Sequence, residues 1–170
     1  MIDKVRNEET KHMIFKFGQY KVDIDVEKIK NFYENAEPVS KSCSCDGGLN
    51  FEKAVGELPH SVHKFFGDIG VDMRKACECY VNHVNDDGTL LYGGFYHLCG
   101  ILAEGKSAWK NINDKTAYWD DDEAFAISPN FHVSFHRDIV LLEKGFPLPA
   151  IQLDFSADIP WVLKKRNTYI

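Results

Sequence analysis

Apolar and polar positions alternate from Met13 onward. Tyr20, Val22 and Ile24 share one face, Lys21, Asp23 and Asp25 the other, and Gly18 supplies a turn, which predicts a short β-hairpin over 13–25. Val26, Ile29 and Phe32-Tyr33 then recur at helical spacing, and Asp25 stands where an N-cap carboxylate accepts a free amide hydrogen of the first turn. Pro38 closes that helix, and residues 37–48 read as a polar loop. The strongest periodic stripe follows: Phe51, Val55, Leu58, Val62, Phe65 and Ile69 at steps of three and four. Pro59 interrupts it, so the helix either kinks there or gives way to a second helix with proline in its first turn. Gly70 suits a left-handed C-terminal cap.

After Asp72 the period changes to that of strands. Cys77 to Val84 and Leu90 to Leu102 flank the turn sequence Asn85-Asp86-Asp87-Gly88. Later, Phe131, Val133 and Phe135 alternate with His132, Ser134 and His136, while Ile151, Leu153 and Phe155 alternate with Gln152, Asp154 and Ser156. Helices early and strands late predict an α+β fold: an antiparallel β-sheet with an N-terminal hairpin and two to three helices packed on one face. No repeat or linker divides the chain, so residues 1–170 read as a single domain with a loose leader at 1–11.

Composition sharpens this picture. The 44% hydrophobic and 13% aromatic content is enough for a ring-rich core and excludes disorder as the main state. A net charge of -6 with scattered basic residues argues against nucleic acid as a partner. No run of 18 apolar residues is present, and the charged start of the chain lacks the apolar stretch of a signal peptide. The five cysteines include two Cys-x-Cys pairs, a poor pattern for a secreted disulfide framework, which points to a cytosolic (cytoplasmic) protein with reduced thiols.

Three groups of residues are candidates for chemistry. Cys43 and Cys45 sit in the polar loop, where thiolates suit a thiophilic ion such as zinc, with Asp46, His60 or His63 as further donors. A helix N-terminus just beyond would also lower a thiol pKa. Cys77, Cys79, His97 and Cys99 form a second set, which converges only if residue 85 pairs with 89 and Cys77 lies opposite His97. A slip of one residue dissolves it, and the same face then reads as core cysteines. Third, His132, Ser134, His136 and Asp138 line one strand face and meet Gln152, Asp154 and Ser156 if the last two strands pair. No Gly-x-Ser-x-Gly, His-Glu-x-x-His or phosphate loop accompanies them, so this face reads as solvated or as a contact surface. Gly93-Gly94 within a strand predicts a bulge or a close backbone approach, and the acidic run Asp120–Glu123 reads as a solvated loop.

Several of these residues carry a resemblance. Cys43, Cys45, Asn50, Phe51, Pro59, Phe65-Phe66 and Gly70-Val71-Asp72, with Tyr92–His97, Phe146–Leu153 and Pro160-Trp161-Val162-Leu163, resemble a family of uncharacterised bacterial proteins, mostly from Firmicutes. That family carries a Cys-x-Cys-x-x-Cys-x-Asn-Phe/Tyr loop, and Gly48 stands here in place of its third cysteine. The resemblance spans about Phe15 to Leu163; it implies a fold type and no activity. Taken together, the sequence leads to a cytosolic bacterial protein-binding module without catalytic activity and with no required cofactor. The alternative is a metal-binding or thiol-dependent protein using Cys43 and Cys45.

Overall fold

The computed structural model of the chain describes residues 12–42 and 44–170. The leader expected at 1–11, and Cys43 itself, lie outside the described residues. Strands β1 (His12–Phe17) and β2 (Tyr20–Asp25) form the expected hairpin, and helix α1 (Val26–Asn35) follows without a gap. The Asp25 side chain caps α1 by accepting the Lys28 amide hydrogen at 3.1 Å. The polar loop contains a one-turn helix α2 (Val39–Ser42), and helix α3 (Asp46–Ala54) begins directly after Cys45. A 3-10 turn at Val55–Glu57 ends α3, and α4 (His60–Asp68) starts afresh. Pro59 therefore separates two helices, and it does so from the N-cap of α4, one residue earlier than the first turn. The cause is local: a residue before proline is pushed out of the helical region, and Leu58 is extended (ψ 160). Gly70 takes the left-handed conformation foreseen for it (φ 80).

The remaining strands are β3 (Glu78–Val84), β4 (Leu90–Glu104), β5 (Trp109–Asn113), β6 (Thr116–Trp119), β7 (Phe125–Ser128), β8 (Phe131–His136) and β9 (Ala150–Ile159). Seven strands, β1 and β2 included, build one sheet in the order β1-β2-β4-β9-β8-β7, with β3 also on β4, and all these pairings are antiparallel. β5 and β6 form a separate hairpin. The sheet curls, so that Phe17 of β1 meets Phe125 of β7 and Phe135 of β8. The helices cover the face formed by Tyr92, Tyr96, Phe155 and Phe131, against which Phe51 of α3 and Phe66 of α4 pack. That is the α+β architecture anticipated from the pattern.

β4 organises the sheet. β9 runs along one edge from Leu90 to Cys99, while the other edge is shared by β3 at Leu90–Phe95 and β2 from Gly100 onward. The gap between β3 and β2 falls at His97, whose backbone would be left unpaired there. Tyr33 of α1 fills it: its hydroxyl accepts from the His97 amide at 3.0 Å and donates to the His97 carbonyl at 2.9 Å. One side chain thus takes the place of a strand residue.

The β3–β4 register departs from the even hairpin. Val84 pairs with Leu90 and His83 with Leu91, but the register shifts between Val81 and His83, and Val81 pairs with Tyr92. The bulge at Asn82 sets Cys79 opposite Gly94 and leaves the Cys77 amide bonded to the Phe95 carbonyl at 2.9 Å. Cys77 is therefore one residue out of the alignment with His97 that the second cysteine set requires. The Gly93-Gly94 pair explains the close packing here. A Cβ on Gly94 would lie 2.1 Å from the Glu78 carbonyl oxygen, and one on Gly93 would lie 2.7 Å from the Tyr80 ring.

Candidate functional site

The last two strands pair as the alternation required, setting His132 opposite Ser156, Ser134 opposite Asp154 and His136 opposite Gln152. The face they form differs from the solvated surface expected of it, because Ser134, Gln152, Asp154 and His97 are all buried. The 137–149 segment bonds onto this face, and Ala108, which precedes β5, is bound to it as well. Buried polar groups need partners, and Gln152 and Asp154 find one another. The Gln152 amide donates to Asp154 Oδ1 at 3.0 Å, and His136 Nε2 contacts Asp154 Oδ2. Gln152 Oε1 in turn accepts the Val140 amide at 3.0 Å, which pins the 137–149 segment to β9.

Ser134 belongs to a separate chain of bonds. The Ala108 amide donates to Ser134 Oγ at 2.8 Å, and the Tyr20 hydroxyl lies 3.1 Å from Ser134 Oγ and 2.9 Å from the Glu123 carbonyl oxygen. A carbonyl only accepts, so the Tyr20 proton goes to Glu123 and Ser134 supplies the proton between the two hydroxyls. Ser134, His136 and Asp154 therefore do not form a nucleophile–base–acid chain. The serine is sealed from solvent and bonded elsewhere, and no bond joins it to His136 among the described residues.

His97 is 3% exposed, and its Nε2 has no hydrogen-bond partner among the described residues. Burial pushes its pKa below the ordinary histidine range, against the opposing pull of the Gln152 side chain, the Val140 backbone and the Asp154 charge. The ring is held between Phe95 and Phe146, and Phe146 also meets Phe32 of α1. His132 lies 3.5 Å from Asp121, so the acidic run is tied to this face as well. Asp138 is exposed at the start of the segment that crosses the face.

That segment is the part sequence reasoning missed. Its apolar side chains Val140, Leu141 and Leu148 face solvent, and Leu141 is 69% exposed. Leu141 also holds a left-handed backbone (φ 53), where an L side chain crowds the following carbonyl at a cost of roughly 1–2 kcal/mol. It is secured there from both sides: the Val140 amide bonds to Gln152, and the Cys77 thiol donates to the Leu141 carbonyl at 3.5 Å. Between this segment and α1 runs a groove of about 530 Å³, lined by Phe32, Lys28, Asn31, Lys144 and Pro147. The sequence signal was the long stretch between β8 and β9 without apolar periodicity, closed by Pro147 and Pro149.

The cysteines spread over several environments. Burial, with Glu78 and Glu143 nearby, raises the Cys77 pKa, and burial raises that of Cys99. Both shifts disfavour the thiolate, the reactive form of a cysteine. Cys79 turns to the helix-covered face beside Val81, whereas His97 and Cys99 keep to the opposite one. The bulge thus separates the second candidate set. Among the described residues no group of three or more His, Cys, Asp or Glu side chains is arranged to hold a metal ion. Cys45 caps α3, its sulfur accepting the Gly48 amide at 3.4 Å.

The surroundings of that cap join Asn50 and Tyr92 to the chain at Pro160 and Val162. Asn50 donates to the Pro160 carbonyl at 3.0 Å and to the Tyr92 hydroxyl at 3.2 Å, and accepts the Val162 amide at 2.7 Å. The Tyr92 hydroxyl donates to the Gly47 carbonyl at 2.8 Å, and Lys165 pairs with Asp46. Burial raises the Tyr92 pKa well above the usual range; the Asn50 hydrogen bond opposes this, while Cys79, Tyr169 and Cys45 reinforce it.

Fold and site together define an α+β domain whose inner polar residues brace an exposed apolar loop. Among the described residues, no helix is long and apolar enough to cross a membrane. Comparison with family models, curated proteins and solved structures finds no match to this chain.

Proposed function

We propose that this chain is a cytosolic bacterial protein-binding module that acts without catalysis, and that the 140–148 loop is its contact surface. The observation that carries this reading is Leu141, an exposed leucine held in a disfavoured backbone conformation by a buried polar network. Folding alone gives no reason to keep such a residue, since strain of this kind persists where the surroundings impose it and concentrates where it serves a function. Val140 and Leu148 extend the apolar surface, and the Phe32 groove beside it gives a partner side chain somewhere to insert. Membership of the resembled family belongs to this proposal. The test is a photo-crosslinker placed at position 141 in the native cell. A discrete crosslinked species at 141, absent when the probe sits at exposed Lys53, supports the reading; no species at 141 refutes it.

A second reading, a metal or thiol site at Cys43 and Cys45, draws on one observation. Cys79, on the inner face of β3, neighbours the same Tyr92 ring that the Cys45 turn adjoins. Protein purified without chelator would then carry near-stoichiometric zinc, lost on Cys79→Ser. Less than about a tenth of an equivalent ends this reading.

A further inference from the structure

β1 is an end strand of the sheet, and among the described residues it pairs only with β2. Its hairpin closes through the two residues Gly18 and Gln19, with Phe17 opposite Tyr20. In such a hairpin the closing pair exchanges both backbone bonds, so Phe17, Phe15 and Met13 bond to β2. Alternation then leaves the N–H and C=O groups of His12, Ile14 and Lys16 pointing away from the sheet. The strand runs six residues with no proline and no shift in register, whereas β7 at the far end has four residues and an irregular register. Ile14 is 68% exposed and Met13 is exposed beside it. Edges of this length and regularity are normally blunted or paired.

We propose that the occupant of this edge is a second copy of the chain, joined β1 to β1 about a two-fold axis to give one continuous sheet. Only one antiparallel register uses all three outward residues. It sets Ile14 against Ile14 of the second copy, His12 against Lys16, and Met13 against Phe15. Apolar side chains then meet on both faces. The same register answers the charge on Lys16. Within its own hairpin Lys16 lies opposite Lys21, a like-charge pair, and it has no ion-pair partner among the described residues. In the two-fold arrangement it comes alongside the His12–Asp23 pair of the other copy, whose nitrogen and oxygen are 3.1 Å apart. A lysine that would otherwise repel an incoming strand becomes complementary in this register. An interface made chiefly by one six-residue strand is smaller than the ~1,200 Å² of stable complexes, so the dimer depends on concentration.

Sedimentation of the full chain from roughly ten micromolar to roughly half a millimolar tests this. The mass should rise toward twice the monomer value. Ile14→Pro removes an outward N–H that β2 does not use, and should keep the chain monomeric. Lys16→Glu should weaken association at least about tenfold, and Lys16→Glu combined with Asp23→Lys should restore it. A monomer throughout, or a dimer undiminished in Ile14→Pro, overturns the proposal. Leu141→Gly, remote from β1 in the sequence, should leave the dimer intact, which separates this outcome from that of the binding loop.

Discussion

Replacing Leu141 tests the physical core of the functional reading. At an ordinary position alanine is more stable than glycine by about 0.5–1 kcal/mol, because glycine loses more backbone freedom on folding. At φ 53 the order should invert. The left-handed region costs an L residue roughly 1–2 kcal/mol and costs glycine nothing. Subtracting the entropy penalty leaves Leu141→Gly more stable than Leu141→Ala by about 0.5–1 kcal/mol. Both variants remove the same mostly exposed side chain, so its small burial term cancels in the comparison. Urea unfolding of the two variants, with midpoints compared at equal slope, measures the difference directly. Alanine equal to or better than glycine would show that the backbone at 141 is not held left-handed, and the argument from strain would fall.

Other consequences follow from the same geometry. Tyr33→Phe leaves the His97 amide and carbonyl unpaired, and with an adjoining cavity of about 150 Å³ able to admit water, it should cost about 2 kcal/mol in denaturant; a loss under about 0.5 kcal/mol would contradict the strand-gap role. His97 has a folded pKa below its unfolded value of about 6.5, so above that pH it contributes no dependence. Below it the unfolded chain takes up a proton that the folded one refuses, and stability falls with acidification at up to about 1.4 kcal/mol per pH unit until the folded pKa is reached. His97→Gln should flatten that slope between pH 7 and 5, and an unchanged slope would exclude His97 as its source. Gly94→Ala, whose new Cβ would meet the Glu78 carbonyl, should cost about 3 kcal/mol or prevent folding, while Gly56→Ala, with nothing within 4 Å, should stay within about 0.5 kcal/mol. Equal stability of the two alanine variants would refute the close packing at Gly94.

Much of the fold was legible because local signals and tertiary packing agree. Asp25 caps α1 where its carboxylate suggested, and the 131–136 and 151–156 alternations pair in register. Gly93-Gly94 signalled a bulge or close approach in this strand pair, but the position of the extra residue was not legible, since nothing at Asn82 marks it; Tyr80 packs over Gly93 and Glu78 over Gly94 only in the assembled sheet. The polar face was located correctly, but its burial was not foreseen. Alternation reports which residues share a face and says nothing of a non-periodic segment folding over it. Leu141 could not have been singled out, because a positive φ at leucine runs against its intrinsic preference.

The central claim is that the 140–148 loop is the surface by which this domain holds a partner. Its most direct test is co-purification of the full chain from its native cell beside Leu141→Gly, with recovered proteins quantified by mass spectrometry. One protein should be recovered near equimolar with the unaltered chain and be depleted at least about tenfold with the variant, which remains folded. Recovery of nothing above background with the unaltered chain, or of the same protein in equal amount with both, would contradict it.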